Sequence, residues 1–156
     1  MRLSAFTPSS PPDTKLVLAV NLSTNERYTL LKLLDSSPWG VEFADRLADT
    51  FCKAASRMVR VIVCNRELPE GDWKLVFHFV RDLAHAPQFI LASRLADEAL
   101  WAEILNLGGY DLLAIPFDAE EVRRVLTYAM DSAHAVPSPD RHALSFSGRR
   151  SAAGGG

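Results

Sequence analysis

Leu107-Gly108-Gly109-Tyr110-Asp111-Leu112-Leu113-Ala114-Ile115-Pro116-Phe117 is the stretch on which the fold turns. Its glycine pair supplies the left-handed residue on which helices commonly end. The run Leu112-Leu113-Ala114-Ile115 is short, unbroken and uncharged, the pattern of a strand covered on both faces. Pro116 stops it, because proline has no N–H to give a sheet. Asp118-x-x-Glu121 then opens a helix as a capping box, with Val122, Val125, Leu126 and Met130 on its inner face. The segment therefore reads as helix end, tight turn, buried strand and next helix.

Working back toward the N-terminus, the same unit recurs. Phe89-Ile90-Leu91-Ala92 is a strand, followed by a helix expected from Leu95 to Leu107. Arg60-Val61-Ile62-Val63-Cys64 is the clearest strand and ends at Asn65. After it, Leu68-Pro69-Glu70-Gly71 makes a turn, and Asp72 caps a helix carrying Trp73, Val76, Phe77, Val80 and Leu83. Val41-Glu42-Phe43-Ala44 is a weaker strand, suited to an edge. Its helix, Arg46 to Ser56, turns Leu47, Phe51 and Ala54 or Ala55 inward. First in order is Lys15-Leu16-Val17-Leu18-Ala19-Val20, then the capping box Ser23-x-x-Glu26 and a helix with Leu30, Leu31, Leu33 and Leu34 inside, ending near Ser36-Ser37-Pro38. Five βα units in a row, joined by right-handed crossovers, make an α/β protein with a doubly wound, five-stranded parallel sheet.

The chain of 156 residues is long enough for one domain with a real core and short for two. That domain is expected over residues 15–135. Residues 1–14, with Ser9-Ser10-Pro11-Pro12, read as a mobile arm, and residues 136–156, with a closing Gly triplet, as a mobile tail. A net charge of −2 leaves no electrostatic footprint for nucleic acid or an anionic membrane. No apolar run approaches the ~20 residues of a membrane span, and the N-terminus lacks the apolar core of a secretory signal. Cys52 and Cys64 stand apart in apolar surroundings, without metal-ligand spacing, and are expected as buried free thiols in a reducing cytosol. Glu67, Glu70 and Asp72 read as turn and cap carboxylates rather than metal ligands, and His78 as a histidine without a ligating partner. A nucleophile elbow and a Gly-rich phosphate loop are both missing, so no catalytic residue, resident metal or cofactor is implied.

Two motifs carry a resemblance. Leu107 to Phe117 looks like the receiver signature L-G-A-x-D-Y-L-x-K-P-F of two-component response regulators. Asn65-Arg66-Glu67-Leu68-Pro69-Glu70-Gly71-Asp72 is similar to the receiver turn D-x-x-L-P-x-x-D-G. The likeness covers roughly Lys15 to Ala133, and Ser93 to Glu98 with Trp101 resembles single-domain bacterial receivers. It implies a CheY-like, flavodoxin-like (βα)5 domain of strand order 2-1-3-4-5, with a cis peptide at Ile115-Pro116. It also implies a phosphorylation site, position by position, and here the sequence departs from the family. The phospho-acceptor Asp falls on Asn65, an amide with no nucleophilic carboxylate. The acidic pair that helps hold the divalent cation falls on Val20 and Asn21, and no carboxylate occurs before Glu26. The phosphoryl-contacting hydroxyl falls on Ala92, beside Ser93; the lysine falls on Ile115 and the aromatic switch residue on Leu112.

The resemblance thus points to a degenerate receiver: a non-catalytic signalling module acting through a protein partner or self-association. In receivers the usual partner surface is the face of the fourth helix, fifth strand and fifth helix. Trp101 and Tyr110 are its candidate anchors here, with Arg123, Arg124 and Asp97 as rim charges; core packing is the other reading of Trp101. The alternative function is small-ligand binding in the crevice at the C-terminal strand ends, lined by Asn21, Asn65, Ala92 and Ile115.

Overall fold

The computed structural model describes residues 14–133. The expected tail, and the arm apart from Thr14, lie outside them. In chain order the elements are β1 (Leu16–Val20), α1 (Thr24–Leu34), β2 (Gly40–Ala44), α2 (Leu47–Ala54), β3 (Val59–Asn65), β4 (Glu67–Leu68), β5 (Gly71–Asp72), α3 (Trp73–Arg81), β6 (Gln88–Ser93), α4 (Glu98–Leu107), β7 (Asp111–Ala114) and α5 (Ala119–Ser132). Five strands form one parallel sheet, ordered β2-β1-β3-β6-β7. That is the expected 2-1-3-4-5 once the two-residue strands β4 and β5 are set aside. These two pair antiparallel as a small hairpin across the Leu68-Pro69-Glu70-Gly71 turn, which the apolar pattern does not register.

The strands alternate between two cores, as their pleat requires. Leu18 and Val20 of β1, Ile62 and Cys64 of β3, and Leu91 of β6 face a cluster built with α2, α3 and α4. Val17, Ala19, Val61, Val63, Ile90 and Leu113 face the other, built with α1 and α5. Burying both faces explains why the strands are continuous apolar runs rather than alternating ones. β2 is an outer strand, and it is the least buried of the five.

The helix ends follow the sequence closely. Ser23 and Glu26 close a reciprocal capping box, Asp72 accepts from Lys74 N, and Asp118 accepts from Glu121 N at 3.0 Å. Gly108 ends α4 with φ 105°, and Gly109 N donates to Ile104 O. The Ile115-Pro116 peptide is cis. Three expectations are corrected. α4 begins at Glu98, not Leu95, because Asp97 takes the cap position and its carboxylate accepts from Leu100 N. Leu95 is left exposed in the preceding loop. Leu31 faces solvent, since Leu30 and Leu34 already fill the stripe α1 turns to the sheet. Cys52 is exposed, because Thr50 and Ala54 take the buried positions of α2; Cys64 is buried as expected, and both thiols are free. Burial raises the Cys64 thiol far above the ordinary thiol range.

Candidate functional site

In an open parallel sheet the loops after the strands form a crevice at the C-terminal edge. Here β1 ends at Val20 and β3 at Asn65, and the two loops are tied together at once. Asn65 Nδ2 donates to Asn21 O at 3.0 Å. Asn65 Oδ1 accepts from Glu67 N at 2.9 Å. Asn21 Nδ2 then donates to Glu67 O at 2.7 Å. The three bonds close a ring through Asn21, Asn65 and Glu67. It has a strict donor requirement: the atom of residue 65 that faces Asn21 O must carry hydrogen. An amide meets it; an ionised carboxylate has only acceptors and would oppose one oxygen with another.

Asn21 itself adopts φ 55°, the left-handed region in which asparagine is tolerated better than most residues. That turn sends its N–H to Ala44 O, at the end of β2, at 2.8 Å. The other face of the ring continues into the sheet. Ala92 lies opposite Asn65 in the β3–β6 register and is fully buried. Its carbonyl accepts from Arg66 N at 2.7 Å. Ser93, next to it, is also buried, and its hydroxyl accepts from Leu95 N at 2.9 Å. Ile115 is buried in the α1–α5 core, its N–H donating to Ser93 O at 2.9 Å.

The structure therefore gathers Asn21 and Asn65 by direct contact and sets Ala92 beside them. Val20 and Leu112 it sends elsewhere: both are buried in the α2–α3–α4 core, on the opposite side of the sheet from Ala92 and Ile115. The participant that sequence reasoning missed is Glu67, which serves through its main chain. Asparagine accepting from the N–H two residues on is a familiar turn device, and Asn65-x-Glu67 after a strand was the available signal. Three other carboxylates of the neighbouring loops and helices serve as caps. Glu70 accepts from Leu47 N at 2.6 Å, capping α2 from outside in place of Arg46, whose side chain makes no cap bond. Asp72 caps α3, and the buried Glu26 closes its capping box. Among the described residues no group of three His, Cys, Asp or Glu comes together.

The proposed partner face is corrected in one respect. Trp101 and Tyr110 are buried at 7% and 6% exposure, so neither presents its ring at the surface. Trp101 Nε1 donates to the buried carboxylate of Asp111 at 3.0 Å, and Asp111 also accepts from Leu112 N. The Tyr110 hydroxyl meets Ser132 Oγ at 3.2 Å. Both rings lie inward because α4 turns Leu100, Trp101 and Ile104 to the sheet and Tyr110 packs under α5. Arg123 and Arg124 do lie exposed on α5, Arg123 paired with Glu120.

No family model matches the chain, and no curated protein matches it. Solved structures do. The receiver domain of an HD-domain protein from Pseudomonas fluorescens Pf-5 is 24% identical, at TM-score 0.67, over 78% of this chain and 98% of that one. A receiver domain of a sensor histidine kinase from Pseudomonas aeruginosa PAO1, with magnesium in its active-site cleft, is 20% identical, at TM-score 0.62, over 76% and 99%. The beryllofluoride-activated NtrC4 receiver domain, a dimer, is 20% identical, at TM-score 0.68, over 77% and 99%. The class of fold is thereby defined: a CheY-like receiver fold, five-stranded and parallel, as the two sequence motifs implied.

Proposed function

We propose that this chain is a receiver-type module of two-component signalling that works without accepting a phosphoryl group, by binding a protein partner or a second copy of itself. The observation that carries the reading is the bond from Asn65 Nδ2 to Asn21 O. The resemblance places the phospho-acceptor at residue 65, and there an amide is built into the loop structure through its N–H. Phosphoryl transfer needs a carboxylate nucleophile and a divalent cation held by hard oxygen ligands. The first position is an amide, and Val20 and Asn21 offer no carboxylate for the second. Ile115, buried and apolar where a lysine would meet the phosphate, would leave an incoming anion without a charged partner.

The partner surface we assign is the α4–β7–α5 face, where Arg123 and Arg124 stand exposed and Trp101 and Tyr110 brace the elements from beneath. A cytosolic setting suits two free cysteines, and no helix among the described residues is long and apolar enough to cross a membrane. A small ligand in the crevice is the weaker reading, since the polar groups of Asn21 and Asn65 are already spent on each other's loops.

Incubation with acetyl phosphate and magnesium, followed by intact mass measurement, should give no phosphoryl adduct. The Asn65→Asp variant should give none either, because the cation ligands and the lysine would still be missing. A phosphorylated wild-type chain would overturn the proposal. Reversing both arginines (Arg123→Glu with Arg124→Glu) should weaken partner capture or self-association while leaving the fold intact.

A further inference from the structure

The sheet ends at β2, and among the described residues no strand lies beyond it. Along a strand, successive residues turn their N–H and C=O groups to opposite sides, so alternate residues face β1 and the rest face outward. Two bonds fix the assignment. Gly40 N donates to Lys15 O and Ala44 O accepts from Asn21 N, so Gly40, Glu42 and Ala44 are turned to β1. Val41 and Phe43 therefore direct their backbone groups away from the sheet. Outward groups on an outer strand are a template for a further strand. One of them is taken. Lys53, in the last turn of α2, donates through Nζ to Phe43 O at 2.7 Å. Its ammonium also meets Asp49 Oδ2 at 3.3 Å, and the side chain is only 33% exposed. From α1, the Arg27 guanidinium lies over the Phe43 ring, 4.9 Å from its centroid, so β2 is held from both layers.

We propose that Lys53 is a strap that keeps β2 from pairing with the β2 strand of a second copy of this chain. A second copy is the relevant occupant because the outward groups of β2 are self-complementary. Two copies related by a two-fold axis would run these strands antiparallel, and Val41 of each would exchange bonds with Phe43 of the other. Half of those bonds would end on Phe43 O, where the Lys53 ammonium already sits. Shifting the register does not avoid the obstacle. An axis centred on Phe43 still uses that carbonyl. An axis centred on Val41 sets Phe43 against Trp39, whose N–H is held by Ser37 Oγ. An arriving strand must displace the ammonium or cover it without its partners, and a covered, unpaired charge is costly. Glu42, exposed on the same strand, adds a second obstacle in the register centred on it. There the axis passes between the two Glu42 residues and sets like charges directly opposite, with Cβ atoms about 5 Å apart. A lysine and a second charge at an outer strand are recurrent protections against edge-to-edge association.

The test is backbone amide exchange on the full chain, with and without Lys53→Met and Glu42→Thr, at low and high protein concentration. In the wild-type chain the Val41 and Phe43 amides should exchange fast at both concentrations. In the double variant they should slow by ~tenfold or more as concentration rises, with the sedimenting mass rising in step. Lys53→Met alone keeps the aliphatic stem over the sheet and should slow the same two amides by less. Asp49→Asn removes the ion pair but leaves the bond to Phe43 O, so it should behave as wild type. Association through the α4–β7–α5 face would leave these two amides unchanged, which separates the strap from the function proposed above. Val41 and Phe43 amides that are already protected in the wild type, that fail to slow in both Lys53 variants, or that slow as much with Asp49→Asn would overturn the proposal.

Discussion

The corner where α4 runs into β7 and the mouth between β1 and β3 both hold buried or half-buried polar side chains, but they satisfy them differently. At the corner, side chain answers side chain: Trp101 with Asp111, Tyr110 with Ser132. At the mouth, two asparagines are spent on main-chain atoms of Asn21 and Glu67. The corner joins large buried surfaces, so its groups act with the core. The mouth lies at the edge of the sheet, half open to solvent, so its bonds fix loop conformation and contribute less to global stability. One region holds the domain together, while the other decides what the crevice can do.

The corner should show the largest effects. Trp101→Ala removes a buried indole and the donor to Asp111, and a loss of ~3–5 kcal/mol is expected in denaturant unfolding. Trp101→Phe separates the two contributions: the ring volume is mostly kept, and the lost donation to a buried carboxylate should account for ~1–3 kcal/mol. Gly109→Ala tests the same corner from the backbone. An added Cβ would fall 2.4 Å from Ile104 Cγ1 and 3.1 Å from its carbonyl oxygen, so overpacking of ~1–3 kcal/mol is expected. If Trp101→Ala unfolds like wild type, the corner is not part of the core and the contrast fails.

At the mouth, Asn65→Asp should matter less to stability and more to pH dependence. The carboxylate cannot donate to Asn21 O, and with the site half exposed a loss of ~1 kcal/mol is expected at neutral pH. Protonation restores a donor, so the variant should approach wild-type stability as the solution is acidified. In linkage terms the folded state prefers the protonated acid. The deficit is therefore absent below the carboxyl's unfolded titration range and grows as pH rises through the folded one. Urea midpoints measured from acid to neutral pH for both chains would show it. A deficit independent of pH would mean that the Asn65 N–H is not what the ring uses.

The two regions also differ in how legible they were. The corner's backbone was written plainly: Gly108 ends α4 in the left-handed region, and the strand after it is an apolar run. Its side-chain pairing was not, because Trp101 and Asp111 are ten residues apart on different elements, and an amphipathic ring on a helix reads equally as core or as interface. The mouth's composition was legible through the family likeness at Asn65, Ala92 and Ile115. The ring was not, since it runs through carbonyl and amide groups that every residue possesses. Leu112, adjacent in sequence to Leu113, could be assigned a side of the sheet only once β7 was in register with β6. The Asp97 cap was readable in principle, but the apolar Leu95 drew the helix start three residues early.

The smallest expected effect sharpens the contrast most. Asn21 sits at φ 55° and donates through Nδ2 to Glu67 O, in an exposed bond of 2.7 Å. Asn21→Gly removes the side-chain bond and the Cβ strain of that conformation together. Glycine enters the left-handed region without Cβ strain, which for a side-chain-bearing residue amounts to roughly 1 kcal/mol. The lost hydrogen bond is worth about as much in the other direction. The two should cancel to within ~0.5 kcal/mol, whereas Asn21→Ala loses the bond and keeps the strain, and should fall below the glycine variant by roughly 1 kcal/mol. Amide exchange at Glu67 supplies the local reading that global stability does not: it should quicken in both variants, because the loop it belongs to is no longer tied to β1. Unchanged exchange at Glu67 in the glycine variant would show that the ring is not what orders the mouth, and the crevice would then owe its shape to the sheet alone.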